Sequence, residues 1–335
     1  MEPKILGFGE LLLRLNPPHY QKIQQASQFQ VNYGGAEANV LMSLSNFGHQ
    51  TKFVTKVPQH QVGKCAIKQL ASFDVDTSEI IQSEGRLGIY FLEQGNGPRT
   101  SEVIYDRTHS CFAQAEVSDF DYEKMLTGVT HLCLSGITPA LGTSVAKSCY
   151  QLIVEAKKRQ IFVSYDSNYR AKLWSHQEAK QFLEMILPYV DAAFLGVADF
   201  QYILQYAVPE GTIETQLTAL YQELVHNYPN IHYLASTKRT VHSMSENSLQ
   251  SLLYTQGELY ISPEQRFQIL DRVGGGDAFT AGVLHGIVSE SSPQKIVEFA
   301  NCASILKHSI AGDVNLATRE DVEAFWQHGT QTIKR

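Results

Sequence analysis

The chain has 335 residues, 43% of them hydrophobic and 18% charged, which is ample material for a buried core. Its 27 Lys and Arg stand against 34 Asp and Glu, and the resulting net charge of −7 gives no broad cationic surface for nucleic acid or anionic membranes. The five cysteines (Cys65, Cys111, Cys133, Cys149, Cys302) form no C-x-x-C pair, and neither a secretory-type opening nor an apolar run of about 18 residues occurs, so a cytoplasmic protein with reduced thiols is predicted.

Short apolar runs alternate with longer amphipathic ones, the pattern of parallel strands joined by crossover helices and hence of an α/β fold. Strands are predicted at Ile5–Phe8, Lys52–Val57, His131–Leu134, Ile161–Tyr165, Ala192–Leu195 and His232–Ala235. Helices are predicted at Ala36–Phe47, Lys64–Phe73, Thr143–Arg159, Gln177–Leu187 and Thr212–His226. In the first of these, Val40, Leu41, Leu44 and Phe47 make one apolar stripe. Two stretches, Leu11–Tyr33 and Leu87–Phe112, hold strand-like pieces (Leu11–Leu15, Phe29–Tyr33, Ile89–Leu92, Glu102–Tyr105) with no long helix between them. They read as one small antiparallel sheet projecting from the body, or else as surface loops. Hairpins are expected over Ser236–Ser262, followed by helices at Ala278–Ile287, Pro293–Ser309 and Arg319–Trp326.

The most informative segment is Asp271-Arg-Val-Gly-Gly-Gly-Asp-Ala-Phe-Thr-Ala-Gly282. Phe279, Val283, Leu284 and Ile287 share a helical face, so a helix is expected to begin near Asp277, directly after Gly274, Gly275 and Gly276. Glycines let successive N–H groups converge, and a helix N-terminus adds partial positive charge, so this is a place for an anion. A carboxylate at the same helix start can take a proton from a hydroxyl beside a transferring phosphoryl group. The competing reading is a flexible turn with Asp277 as an N-cap. Two weaker segments join it. Gly34-Gly35-Ala36-Glu37-Ala38-Asn39 opens a helix after a strand, either for close approach of a ligand or simply as a tight turn. Asp166-Ser-Asn168-Tyr-Arg170-Ala-Lys-Leu-Trp174 follows a strand at the carboxyl edge where parallel sheets place ligands, or is a polar loop.

Together, Gly34-Gly35 with Asn39, Asp166-x-Asn168-x-Arg170, and Gly274-Gly275-Gly276-Asp277 with Phe279 and Gly282 resemble the ribokinase (PfkB) family of carbohydrate kinases, from about Ile5 to Trp326. The resemblance implies a ribokinase-like fold, a central mostly parallel sheet flanked by helices with a small β-sheet lid. Residues 1–335 are then one kinase domain with lid segments inserted at about 11–33 and 87–112. It implies Asp277 as catalytic base and Gly274, Gly275 and Gly276 as the anion hole. It also implies ATP with Mg²⁺ held mainly by phosphates and waters, and possible pairing through the lid into a homodimer or higher homo-oligomer.

Within the family the pattern is most similar to the 2-keto-3-deoxygluconate kinases, through Gly88-Ile-Tyr90, Tyr105-Asp-Arg107, Tyr169-Arg170, the run Asp271–Asp277, and Ser309-Ile-Ala-Gly-Asp313-Val-Asn315. A sugar carboxylate benefits from arginine forks, since charge-assisted hydrogen bonds contribute roughly 1.5–3 kcal/mol each. The expected substrate contacts are Gly34, Gly35, Asn39, Tyr90, Tyr105, Arg107, Arg170 and Asp313; taken singly, each has a structural reading as a solvated arginine, a core tyrosine or a loop cap. For ATP they are Asn168, Ser236, Lys238 and Asn301, with Ala300 and Ser304 as neighbours on the same helix. The predicted reaction is ATP-dependent phosphorylation of 2-keto-3-deoxygluconate at its terminal hydroxyl, giving the 6-phospho product and ADP.

The chain departs from the family where many members carry Asn-x-x-Glu. Here Gly196-Val-Ala-Asp199 replaces it, leaving Asp199 as a weak metal candidate or a helix cap, and Ser236-Thr-Lys238 lacks the usual glycine-containing stretch. The alternatives are another family kinase (a fructokinase or ribokinase) and a non-catalytic sugar sensor. A dinucleotide-dependent dehydrogenase is disfavoured because Leu12 stands where Gly7-Phe-Gly9 would need its third glycine. No P-loop or G-x-S-x-G elbow is present.

Overall fold

The computed structural model describes residues 3–329. The amino-terminal part runs β1 (Lys4–Phe8), β2 (Leu12–Asn16), β3 (Gln30–Gly34), α1 (Ala36–Asn46), β4 (Gln50–Val54), β5 (Lys56–Pro58), α2 (Gln61–Ala71), β6 (Ile81–Ser83), β7 (Gly88–Glu93) and β8 (Glu102–Asp106). The middle comprises α3 (Tyr122–Met125), β9 (His131–Ser135), α4 (Thr143–Lys158), β10 (Phe162–Asp166), α5 (His176–Ile186), β11 (Ala192–Phe194) and α6 (Ile213–Asn227). The chain closes with β12 (Tyr233–Ser243), β13 (Glu246–Thr255), β14 (Glu258–Ile261), β15 (Gln265–Gln268), α7 (Gly275–Val288), α8 (Pro293–His308) and α9 (Arg319–His328).

The large sheet has nine strands in the order β14-β13-β12-β11-β10-β9-β1-β4, with β15 paired to β13. From β4 to β12 the pairing is parallel throughout, and only the β12–β13–β14 and β13–β15 pairs are antiparallel. Alternation along each strand divides the core into two layers. Leu6 and Phe8 of β1 pack with Leu152 of α4, Phe182 of α5 and Leu220 of α6 on one face, while Ile5 packs with Leu41 of α1, Leu70 of α2, Val283 of α7 and Val297 of α8 on the other. Parallel strands covered on both faces read as continuous apolar runs, which is why β9 and β11 were visible as strands without a polar phase.

The lid is a separate four-stranded sheet, β3-β2-β7-β8, built from both helix-poor stretches. Its β2–β3 and β7–β8 pairs are antiparallel, but β2 and β7, brought together from the two stretches, run parallel. The expected strand Lys52–Val57 is in fact two. β4 ends in the main sheet at Val54, and after the buried Thr55 the chain turns away so that Lys56–Pro58 pairs with Ile81–Ser83 in a two-stranded sheet. Helix α2 starts three residues before the predicted Lys64, with the ring of His60 accepting from the Val62 N–H at 3.3 Å. Among the described residues no helix is long and apolar enough to cross a membrane.

Candidate active site

One cavity of about 760 Å³ opens at the carboxyl ends of β10 and β11 and beside Ala235, Ser236 and Thr237 of β12, between the lid and the start of α7. Helix α7 begins at Gly275, earlier than the position near Asp277 that apolar periodicity indicated, because the glycines are themselves its cap and first turn. Gly274 adopts φ +83°, and a Cβ there would lie 1.8 Å from the Asp313 carbonyl. A Cβ on Gly275 would strike the His308 ring at 2.3 Å, whereas one on Gly276 would meet nothing within 4 Å. Two of the glycines thus permit packing, and the third leaves open space beside Asp277. Among the described residues no acceptor takes the N–H of Gly276 or Asp277, while the Ala278 N–H closes the first helical bond onto Gly274 at 2.9 Å. Those free amides at a helix N-terminus form a cradle for an anion.

Asp277 lines this cavity, and its Oδ2 accepts from Asn39 Nδ2 at 2.7 Å. Burial pushes the carboxyl up to about 7, opposed by the Asn39 bond and the Arg170 charge and reinforced by the Asp313 and Glu37 carboxyls. A carboxyl near neutrality is suited to exchanging a proton at working pH. The Nδ2 of Asn39, a residue expected on the sugar, is thus engaged by Asp277; its Oδ1 accepts from the Gly35 N–H at 3.3 Å. Gly34 and Gly35 permit this arrangement by their lack of side chains. A Cβ on Gly34 would lie 2.6 Å from Asp313 Oδ2, and one on Gly35 would lie 2.1 Å from the Glu10 carbonyl.

At the end of β10, Asp166 also faces the cavity, and burial first, then the neighbouring Asp277 and Asp199, push it up to about 7. Asn168 takes a left-handed backbone (φ 39°), with its N–H 3.0 Å from Asp166 Oδ1. This bend aims Arg170 at the cavity, its Nη1 steadied by the carbonyls of Asn168 at 3.2 Å and Tyr169 at 3.0 Å and, among the described residues, paired with no carboxylate. Asp199 opens a wide helical turn and is doubly engaged, by Ser167 Oγ at 2.6 Å and the Gly196 N–H at 2.7 Å. No group of three or more His, Cys, Asp or Glu able to hold a metal is gathered among the described residues. The carboxylates of Asp166 and Asp199 at the strand ends fit an ion carried chiefly by phosphate oxygens and water.

The lid side shows relationships that distance along the chain had hidden. Arg14, completely buried on β2, donates to Asp271 Oδ2 and Asp313 Oδ1, each at 2.5 Å. The other Asp313 oxygen accepts from the Tyr90 hydroxyl. Both oxygens of Asp313 and the hydroxyl of Tyr90 are therefore already spoken for by one another and by Arg14, although both residues line the cavity. Arg107 likewise reaches the cavity but donates from Nε and Nη2 to Glu10, whose second oxygen accepts from Ser110. Tyr105 lies over it, 5.6 Å from the guanidinium carbon to the ring centre. Arg14 and Glu10 carried no signal in the sequence, since a lone charged residue in a strand, or in the short connection before it, reads as solvated.

On the far side Ser236 and Thr237 line the cavity, but two expected ATP contacts do not. Lys238 does not line the cavity; its ammonium is drawn to Glu214 at the start of α6, at 2.6 Å. Asn301 is buried in the α8–β13 seam, where its Oδ1 accepts from Ser251 Oγ at 2.9 Å. Its neighbour Ser304 donates to the Gly275 carbonyl at 2.8 Å, buttressing the glycine turn from behind.

A glycine-capped helix with an aspartate in its first turn, a lid and a mostly parallel sheet agree with the family-level comparison: the sequence model of the pfkB family of carbohydrate kinases matches residues 2–313. The chain belongs to that family. It is accordingly a phosphotransferase with an alcohol group as acceptor. A pfkB family carbohydrate kinase from Listeria grayi is 41% identical, with a TM-score of 0.92 over 97% of this chain and 99% of that one. The 2-dehydro-3-deoxygluconokinase of Thermotoga maritima is 36% identical, with a TM-score of 0.95 over 98% and 99%. The 2-dehydro-3-deoxygalactonokinase of Haloferax volcanii is 25% identical over the full length of both chains.

Proposed function

We propose that this kinase transfers the terminal phosphoryl group of ATP to the primary 6-hydroxyl of 2-keto-3-deoxygluconate (2-dehydro-3-deoxygluconate). The observation that carries the reading is the Asp277 carboxyl, held by Asn39 and raised to about 7, directly beside the free N–H groups of Gly276 and Asp277. Asp277 accepts the hydroxyl proton as the new O–P bond forms and the bond to the departing ADP oxygen breaks. The amides neutralise the charge on the equatorial oxygens. Mg²⁺, when bound, supplies further neutralisation of the phosphate charge. Asp166 and Asp199 would meet it through water.

The preference for an acidic sugar is supported by Arg170, whose hydrogen bonds among the described residues go to neutral carbonyls, leaving its guanidinium without an ion-paired carboxylate until the substrate supplies one. Arg107 contributes what its bonds to Glu10 leave free, with Tyr105 covering the ring. Asp313 and Tyr90 set the wall against which Gly34 admits the sugar. On the nucleotide side the reading rests on Ser236 and Thr237, with Asn168 shaping the loop, and no longer on Lys238 or Asn301. The Thermotoga and Haloferax relatives are both named for six-carbon keto-deoxy sugar acids, in the glucono and galactono series. An ADP-release assay with both sugar acids, fructose and ribose tests the proposal. A clear preference for the sugar acids, lost in Arg170→Ala, is expected; equal rates on neutral sugars would refute it.

A further inference from the structure

Nearly every arginine of the described chain has a counter-charge or a carbonyl, as Arg14, Arg86, Arg99, Arg107, Arg159, Arg170, Arg266 and Arg319 show. Arg272 does not. Among the described residues none of its donors has a partner, and its Nη2 is buried with no acceptor. It stands two positions before Gly274, half-buried, between the 760 Å³ cavity and a smaller cavity of about 160 Å³ under the lid, and it lines both. Its electrostatic neighbour is another cation, Arg239, which also has no ion pair among the described residues; burial and that neighbour lower the Arg272 guanidinium from its ordinary value. Arg239 is exposed to water, but a buried unmet donor on Arg272 beside a second cation is costly unless an anion completes it.

Position identifies which anion. Arg239 and Thr237 are two residues apart on β12 and so share a face, and Thr237 lines the cavity. Arg272 thus approaches the glycine turn from the β12 side. The sugar-acid arginines approach from elsewhere, Arg107 from the lid and Arg170 from the end of β10. We infer that Arg272 is a binding residue for the terminal phosphate of the nucleotide donor, gripping it beside the amides of Gly276 and Asp277. A planar fork fits phosphate oxygens bidentately and supplies what the missing Asn-x-x-Glu element and Lys238, paired with Glu214, do not.

This inference rests on the ATP-dependent reading, and the test separates the two. Calorimetric titration of the full chain with Mg²⁺ and a non-hydrolysable ATP analogue, ADP or AMP is compared for wild type, Arg272→Met and Arg272→Lys. The methionine variant should bind the triphosphate about 10- to 100-fold more weakly. ADP should weaken much less and AMP not at all, with affinity for the sugar acid unchanged and part of the triphosphate affinity restored by lysine. Because the side chain has no partner to lose, the thermal midpoint of Arg272→Met should stay level or rise. An unchanged triphosphate affinity, or a loss confined to the sugar acid, would overturn the assignment. A wild type that binds the triphosphate but phosphorylates no sugar acid refutes the substrate reading alone, and the Arg272 comparison still stands.

Discussion

Asn39 and Asp277, separated by 238 residues in the chain, are joined by a 2.7 Å hydrogen bond from the amide to the carboxyl. The first helix of the body thereby holds the carboxyl presented by α7, and it favours the ionised form against the burial that opposes it. Removing the amide by Asn39→Ala should move the acid limb of the kcat/KM profile to higher pH. Turnover at pH 7 should fall roughly three- to tenfold, and the loss should shrink at pH 9. A pH–rate profile of both proteins checks this; a loss independent of pH would mean that Asn39 acts on the sugar instead.

Asp277 and Asp166 both titrate near 7 in the folded chain, above the ordinary carboxyl value of 3.8. The folded state therefore holds protons that the unfolded state has released. Their contribution to stability is present at acid pH, declines as pH rises through the folded values, and stays low beyond them. Asp277→Asn removes one such group, so its thermal midpoint should exceed that of wild type above pH 7 and converge with it near pH 4. Differential scanning across that range gives the result directly.

Arg14 ties the lid to the body through two buried carboxylates, Asp271 and Asp313. Arg14→Met leaves both without their cation, and a loss of about 3–5 kcal/mol in unfolding free energy is expected. Denaturant titration measures it. A loss below about 1 kcal/mol would show that the carboxyls are protonated or hydrated in place.

The glycines of the turn should separate by role. Gly274→Ala is opposed both by its left-handed backbone and by the Asp313 carbonyl, and it should destabilise the fold. Gly276→Ala meets open space, so its thermal midpoint should stay close to wild type while turnover falls because the methyl group intrudes on the phosphoryl cradle. Parallel melting and rate measurements distinguish them.

Much of this architecture was legible in the sequence for a physical reason. Buried parallel strands and amphipathic helices leave periodic traces, and the glycine run before Asp277 marks a backbone that must approach something closely. The lid strands were also visible, since Leu12, Tyr90 and Leu92 form a small apolar cluster of their own. What escaped were relations carried by single polar residues across long separations. Glu10 with Arg107, Arg14 with Asp313 and Asn39 with Asp277 have no local pattern, because each partner satisfies a requirement set only by the folded core. The ends of elements shifted for local reasons: His60 caps α2 although histidine is an unusual cap, and α7 begins inside the glycines that seemed to precede it.

The most direct measurement is the turnover of Asp277→Asn in a coupled ADP-release assay with 2-keto-3-deoxygluconate, alongside calorimetric affinity for the sugar and the ATP analogue. Loss of the base should lower turnover about 10²- to 10⁴-fold with both affinities largely kept. Near-normal turnover in that variant would contradict the account.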